Sequence, residues 1–368
     1  MHNYNAGSHQ RKIFHPLCYS FVSILVSFIQ GIANNWQIKQ QTDTGNAIIS
    51  QIIPNYPCGC GMTWRIHLTN RAIRELHILQ GKPQQLAVWT QRNRIEFYDM
   101  ESGVLLGHRT IEPPPNGEFN SEAWQIYLAT LTDLRERAYL PVVPTSRGTI
   151  HTTDDGKLHL FRVDDSSLVM MTGGKLANLP VAGVERFIAL DLDRALGMVA
   201  ALDNTGKLHI YQQDIRIGDF DVGLEIDPLV SGSIVISNGG GMIYATDGRQ
   251  IIVIDTGGVV LQRVRTHYNI RQIACSPGGG MVVTSDNESG VIRVYRGDTL
   301  IPTHQRFAVD LIAEAQQLQL LADLPPTSVS ISALTAGNRG KIGFAMPGVV
   351  CMTDVSQMTE LPRPQALL

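Results

Sequence analysis

Histidine is the residue type in this 368-residue chain best suited to acid–base or metal chemistry, and 11 histidines are present. His159 and His209 occupy the same position in two similar segments, KLHLFRV at 157–163 and KLHIYQQ at 207–213. A catalytic residue is normally needed once, so this repetition predicts that both side chains pack within repeated units. His151 lies on the preceding strand segment, and we expect it to be a core or surface histidine as well.

The acidic residues form pairs and turns that could suggest catalysis or calcium binding. Asp191 and Asp193 are spaced to lie on one face of a strand, and we expect them to form a solvated pair with Arg194. The turns Asp203–Gly206 and Asp286–Gly290 are too short for a helix-flanked calcium loop and lack its late bidentate carboxylate. Their Asp, Asn and Gly content is typical of hairpin turns, which is the role we predict.

Cysteine and glycine patterns do not match known ligand sites either. Cys58 and Cys60 form the closest cysteine pair, whereas a structural zinc site needs four converging ligands, so the pair predicts an irregular linker. The glycine runs 239–241 and 278–280 precede strand-like segments, although a phosphate-binding loop precedes a helix. The four tryptophans show no repeated docking motif for a quinone or hydride cofactor. The sequence therefore predicts no catalytic, cofactor-binding or metal-binding residue.

The elements that would position these residues repeat along the chain. An alternating apolar segment, preceded by a turn rich in Asp, Asn or Gly, recurs 41–62 residues apart. In six of the seven cases another apolar strand segment comes first. The repeated segments start at residues 36, 95, 157, 207, 250, 291 and 349.

A period near 40–50 residues with several strands per unit is typical of a β-propeller. A four-stranded sheet cannot bury both faces alone, but packing against its neighbours in a closed ring buries them. We predict an all-β propeller of about seven four-stranded blades. If the residues before Met62 lie outside it, six blades remain, and Met62–Leu68 completes the closing sheet beside the last blade.

This strand rhythm, from about Gly81 to Asp354, resembles the WD40-like and quinoprotein-like β-propellers. The diagnostic Gly-His and Trp-Asp pairs of the WD40 family are missing, and Gly107-His108 falls on an outer-strand position. The resemblance implies the fold, and it implies function only by analogy.

Two insertions explain the longer spacings. Trp124–Arg137 is predicted to form either a helix or a long strand. Ala313–Leu324 is rich in Ala, Gln and Leu, which favours a short helix that ends at Pro325-Pro326.

The N-terminal 33 residues allow two interpretations. Basic residues precede an apolar run at 13–29, and Gly31-Ile32-Ala33 follows, which is the order of a secretory signal or anchor. Alternatively, Tyr19–Phe28 forms a buried strand or a loosely attached end. We divide the chain into an N-terminal segment (1–35), a propeller (36–362) and a tail (363–368).

Composition narrows the possible functions. A net charge of −3 argues against general binding of nucleic acid or anionic membranes, and a hydrophobic content of 43% is ample for a core. We predict a soluble, cytoplasmic, non-catalytic scaffold, a monomer or a subunit of a complex, that binds protein partners through loops on one face. The alternative is an exported or anchored propeller that binds a cofactor or ligand, as a sugar- or quinone-type enzyme or a sensor. A deep polar channel with converging carboxylates would favour this alternative.

Overall fold

The computed structural model describes residues 64–362 with gaps, the longest of which are 111–121, 130–141 and 311–329. The described residues begin with strand β1 (Trp64–His67) and fall almost entirely in antiparallel strands and tight turns. The strands form six separate sheets, numbered here in chain order.

The first three sheets follow one another along the chain. Sheet 1 contains β2 (Ile73–Leu79), β3 (Gln85–Thr90), β4 (Arg94–Asp99) and β5 (Leu105–Thr110). Sheet 2 contains β6 (Val142–Thr145), β7 (Gly148–Thr152), β8 (Leu158–Arg162), β9 (Leu168–Thr172) and β10 (Lys175–Asn178). Sheet 3 contains β11 (Phe187–Asp193), β12 (Met198–Asp203), β13 (Lys207–Gln212) and β14 (Ile215–Asp221).

The other three sheets continue this order, and two of them include strands from distant parts of the chain. Sheet 4 contains β15 (Ser233–Ile236), β16 (Met242–Thr246), β17 (Gln250–Asp255) and β18 (Val260–Arg265). Sheet 5 contains β19 (Ile270–Cys275), β20 (Met281–Asp286), β21 (Val291–Arg296), β22 (Pro302–Phe307) and β26 (Thr359–Glu360). Sheet 6 contains β23 (Ala333–Ala336), β24 (Lys341–Met346), β25 (Val349–Asp354) and β1. Two one-turn 3₁₀ helices lie at Asn338–Gly340 and Val355–Gln357.

Burial explains the pattern of apolar and polar residues along the strands. The second strand of sheet 3, β12, is buried at every position, which is why it reads as a continuous apolar run. The fourth strand, β14, alternates exposed and half-buried residues because it lies at the outer edge. The repeated segments predicted from the sequence are the third strands β4, β8, β13, β17, β21 and β25.

The sheets pack face to face around a ring. Apolar clusters join sheet 1 to sheet 6, sheet 6 to sheet 5, sheet 5 to sheet 4, sheet 4 to sheet 3 and sheet 3 to sheet 2. The first strands contact one another in the same order, from β2 through β23, β19 and β15 to β11. The predicted all-β propeller is therefore confirmed, with six sheets in the described part of the chain.

Ring closure follows the six-blade alternative. Strand β1, inside the predicted closing segment Met62–Leu68, pairs with β25 as the outer strand of sheet 6. The seventh repeated segment, at Trp36, lies outside the described residues, and so does Ala313–Leu324. In the first insertion, the described residues around Ile126 and Tyr127 are helical. The predicted domain boundaries at 35 and 362 stay predictions.

Aspartates close the turns, as the sequence predicted. The Asp203 carboxylate accepts hydrogen bonds from the backbone N–H groups of Thr205 and Lys207, at 2.8 and 3.1 Å. Gly206 follows at a φ of +84°, and a Cβ there would collide with the backbone carbonyl of Leu224. Asp286 makes the equivalent turn before β21, accepting from the N–H of Ser289 at 2.8 Å. These hydrogen bonds stabilise both acidic turns.

Candidate functional site

A cavity of about 370 Å³ lies at the centre of the ring and is lined by residues of all six sheets. The first strands line it because they are innermost, and β7 contributes to the wall from sheet 2. The lining carries two carboxylates, two imidazoles and two guanidinium groups. These belong to Glu75, Asp191, His77, His151, Arg74 and Arg194.

Glu75 and His77 form a pair on β2. They are two residues apart, so they share one side of the strand, and His77 Nε2 lies 3.0 Å from Glu75 Oε2. Burial raises the pKa of Glu75, but the hydrogen bond from His77 and the charges of His77, His151 and Arg74 outweigh burial. The pKa of Glu75 therefore lies below its usual value. The carboxylate is ionised at neutral pH.

His151 and Asp191 bring a second imidazole and carboxylate together from β7 and β11. His151 Nδ1 lies 3.4 Å from Asp191 Oδ1, a charge contact that is longer and weaker than a good hydrogen bond. The other Asp191 oxygen accepts from the N–H of Ile236 in sheet 4 at 2.8 Å. His151 is only 8% exposed. The prediction that it is an ordinary core or surface histidine did not anticipate its place in the cavity wall.

The predicted solvated pair of Asp191 and Asp193 with Arg194 is wrong. Asp193 is fully buried, and its Oδ1 accepts from the backbone N–H groups of Ala195 and Gly239, both at 3.0 Å. Neither aspartate pairs with Arg194. The prediction that they share a strand face was correct, since both carboxylates reach backbone N–H groups of sheet 4. Asp193 is a turn residue that joins two sheets.

His209 has the packing role that its repetition predicted. Its Nε2 lies 2.8 Å from Asp203 Oδ2, and its Nδ1 lies 2.9 Å from Asp219 Oδ1. Burial raises the pKa of Asp203, but the hydrogen bonds from His209, Thr205 and Lys207 lower it by a larger amount. The pKa of Asp203 therefore lies below its usual value. Both nitrogens of His209 are therefore committed inside sheet 3. His159 lies in the equivalent strand, and its side chain is outside the described ones.

The cavity wall also contains a cysteine thiol. This thiol belongs to Cys275. Burial is the main cause that raises its pKa, and the charge of Asp191 raises the pKa further. The thiol is therefore protonated at neutral pH. Within the described part of the chain, no group of three or more His, Cys, Asp or Glu side chains could hold a metal ion. The described lining of the cavity is partly polar and carries charges of both signs.

Sequence reasoning missed Glu75, His77 and Arg74. The available signal was their position: they lie on the strand before β3, and the first strand of each repeat faces the propeller axis. Glu75 and His77 pair within β2, but the other charged residues that line the cavity, His151, Asp191 and Arg194, come from other sheets.

A second surface lies at the two turns on one side of each sheet, between the first and second strands and between the third and fourth strands. We call this side the first face. Neighbouring sheets present it in the same direction, since Asn238 Oδ1 in sheet 4 accepts from the N–H of Ala195 in sheet 3 at 2.8 Å. Large apolar residues are exposed here, and we call them the apolar rim: Val104, Leu106, Leu196, Ile215, Ile217, Val259, Leu261 and Ile301.

No protein-family model matches this sequence, and no curated protein matches it. Among solved structures the chain is similar to Raptor from Chaetomium thermophilum, with 11% identity, a TM-score of 0.47, and coverage of 80% of this chain and 24% of the Raptor chain. It is similar to a chain of the mitotic checkpoint complex, with 8% identity, a TM-score of 0.40, and coverage of 84% and 85%. It is also similar to KlHsv2 with loop 6CD replaced by a Gly-Ser linker, with 11% identity, a TM-score of 0.43, and coverage of 76% of this chain and 90% of the KlHsv2 chain.

These three structures contain WD40 β-propellers. Their TM-scores are all below 0.5, so the fold assignment rests on the six sheets and their ring of contacts. On that basis the chain is a β-propeller. Within the described residues, no helix is long and apolar enough to cross a membrane.

Proposed function

We propose that this propeller is a non-catalytic scaffold that binds another protein through its first face. The apolar rim is the observation that carries the proposal. Eight exposed large apolar side chains lie at the same end of four sheets, whereas the other two found in the described residues, Ile126 and Phe307, lie elsewhere. Exposed apolar groups that cluster on one side of a monomer typically mark a protein-binding surface.

Hydrogen bonds connect the outer strands of sheets 3, 4 and 5, which carry most of the rim. Arg263 of β18 donates hydrogen bonds to the carbonyls of Gly223 and Val222 at 2.8 and 2.6 Å, which holds sheet 4 against the end of β14. Gln262 donates to the carbonyl of Thr299 at 3.3 Å, next to the turn that carries Ile301. The exposed residues of these sheets therefore lie on connected strands and can contact one partner together.

Exposed apolar residues at equivalent positions of several sheets favour a binding surface over poor packing of the sheets. Ile215 is 68% exposed at the start of β14, and Val259 is 58% exposed directly before β18, and both of these fourth strands pair with the third strand of their own sheet. Removing such residues costs the fold little, since they bury little area. A partner that covers them gains the apolar burial that the isolated chain lacks.

Cytoplasmic localisation remains part of this proposal.

Site-specific crosslinking in the native source tests the proposed face. A photoreactive amino acid at Ile217 or Leu261 is expected to capture the same protein, and the double variant Ile217→Ser with Leu261→Ser to lose that protein while its thermal unfolding is unchanged. Phe307→Ser is the matched control, because Phe307 is exposed at the opposite end of a fourth strand. Capture from position 307 alone, or retention of the partner by the double variant, contradicts the proposal.

A further inference from the structure

We propose that the outer edge of sheet 4 binds an extended, acidic segment of a partner protein, which pairs antiparallel with β18 as a fifth strand. This inference rests on the proposed function, because β18 carries the rim residue Leu261. It names the part of the partner that is bound and the way in which it is held.

The outer strands of sheets 1, 3, 4 and 5 share one irregularity. In each of them the pairing with the third strand shifts at the same place, so that the outer strand contains one extra residue, a β-bulge. The extra residues are Leu106, Ile217, Leu261 and Thr303. The first three belong to the apolar rim and are 49%, 47% and 48% exposed. Equivalent bulges of the outer edges therefore form a regular part of the rim.

Sheet 5 shows that an edge with this bulge accepts a further strand. Strand β26 of the same chain pairs antiparallel with the outer strand β22, with Glu360 opposite His304. The N–H of Leu361 donates to the carbonyl of the bulged Thr303 at 2.7 Å. Bulges often keep a sheet edge from pairing, but here the bulged residue is itself a hydrogen-bond partner of the added strand.

Strand β18 offers the same edge without a cover. Gln262 follows the bulge in β18 as His304 follows it in β22. Among the described strands, none pairs with the outer side of β18, and the sheets on both sides of sheet 4 are described. The N–H and C=O groups along such an edge can bind an extended chain, whose side chains then determine the specificity.

Charge favours an acidic occupant and favours β18 over the other uncovered edges. Two and four residues after its bulge, β18 has Arg263 and Arg265, both exposed. At the same two positions β14 has Asp219 and Asp221, and β5 has His108 and Thr110. Arg263 binds carbonyl oxygens of sheet 3, and neither arginine pairs with a carboxylate among the described residues. Opposite charges across paired strands stabilise the pairing, as the acidic β26 beside β22 illustrates.

A peptide series tests the pairing and the charge separately. The probes are the acidic peptide acetyl-VEVEVEL-amide, its lysine counterpart acetyl-VKVKVKL-amide, and the acidic peptide with every backbone amide N-methylated. Each is titrated into the full chain and followed by fluorescence anisotropy. We expect saturable 1:1 binding of the acidic peptide and at least tenfold weaker binding of the other two, because one reverses the charge and the other lacks N–H donors. Equal binding of either control peptide, or no saturable binding of the acidic peptide, overturns the proposal.

Hydrogen exchange read by NMR locates the bound peptide. The amides of β18 that face away from β17 should exchange quickly in the free chain and slowly in the complex. Protection confined to another strand overturns the proposal. Slow exchange of these amides before any peptide is added also overturns it, because another segment of this chain or a second copy would then already cover the edge.

A charge-reversal variant tests the assignment to β18. Arg265→Glu is expected to weaken binding of the acidic peptide at least fivefold. The matched control is Arg186→Glu, an exposed arginine directly before the innermost strand β11, which should leave binding within twofold. Thermal unfolding confirms that both variants fold. Equal loss in the control, or full binding by Arg265→Glu, overturns the assignment.

These outcomes are separable from those of the proposed function. Capture of a protein by crosslinking at Leu261, with no binding of the acidic peptide, would contradict strand addition and leave the scaffold proposal standing. Peptide binding at β18, with no protein captured from the first face, would contradict the proposed function alone.

Discussion

His209 and His151 are both buried histidines beside aspartates, but the two surroundings differ in what they leave free. His209 lies between Asp203 and Asp219 of its own sheet, and both of its nitrogens are bound within 2.9 Å. His151 has a longer contact with Asp191 of the next sheet, and its Nδ1 is buried without a hydrogen-bond partner among the described residues. The first arrangement satisfies the imidazole within one sheet, and the second leaves a buried ring nitrogen in the cavity wall without a hydrogen bond.

The comparison shows that residue type and burial do not predict how many ring nitrogens of a histidine are hydrogen-bonded within the fold. A fully bonded imidazole has nothing left to offer a ligand. The carboxylates also differ in their hydrogen-bond partners. Asp203 and Asp193 accept hydrogen bonds from turn N–H groups, whereas the Glu75 carboxylate pairs with the His77 side chain beside the cavity.

The largest expected effect is the loss of His209. His209→Ala should lower the free energy of unfolding by about 3 kcal/mol, because it opens space in sheet 3 and removes one hydrogen-bond partner from each of two carboxylates. His151→Ala should cost about 1 kcal/mol, since it breaks one long contact. Urea unfolding of both variants measures the difference. Equal losses would show that the two histidines have the same structural role.

Low pH should reduce the contribution of Asp203 to the free energy of unfolding. The pKa of Asp203 is lower in the folded chain than in the unfolded chain, so its ionised form stabilises the fold above pH about 4, and this contribution disappears as the pH falls through the folded pKa. We expect Asp203→Asn to cost about 1–2 kcal/mol at pH 7 and clearly less at pH 3. Unfolding curves at both values give the comparison, and Thr205→Val, which keeps the carboxylate, is the control. A cost that does not shrink at pH 3 would contradict the assignment.

The smallest effect on stability is expected in the cavity. Glu75→Gln keeps the shape of the side chain and removes its charge, so the free energy of unfolding at pH 7 should change by less than about 1 kcal/mol. Urea unfolding checks this beside His209→Ala. A loss as large as that of His209→Ala would mean that the pair with His77 is structural, and the distinction between the two regions would fail.

The sequence predicted the strands well because their signals are local. Alternation in KLHIYQQ and the preceding turn Asp203–Gly206 place β13 within one residue of where it lies. The left-handed φ of Gly206 and the N–H groups around Asp203 depend on the residues of that turn. The closing strand β1 was predicted as an alternative, since an outer strand for the last sheet has to come from the start of the ring.

The candidate site could not be predicted in the same way. Glu75, His151 and Asp191 lie on strands of three different sheets, and no spacing in the sequence connects them. Asp193 was misjudged for the same reason: its partner Gly239 belongs to the next sheet, so burial and saturation of the carboxylate arise only when sheets 3 and 4 pack.

The sequence by itself determined the strand order, the turn residues and the repeat, since these depend on hydrogen bonds and side-chain alternation among neighbouring residues. Packing of the six sheets decided which polar groups face the central cavity and which are consumed in turns. Electrostatic and hydrogen-bond partners that come from separate sheets exist only once the ring has formed. This is why the repeated His209 could be interpreted from its pattern, while the role of His151 required the tertiary structure.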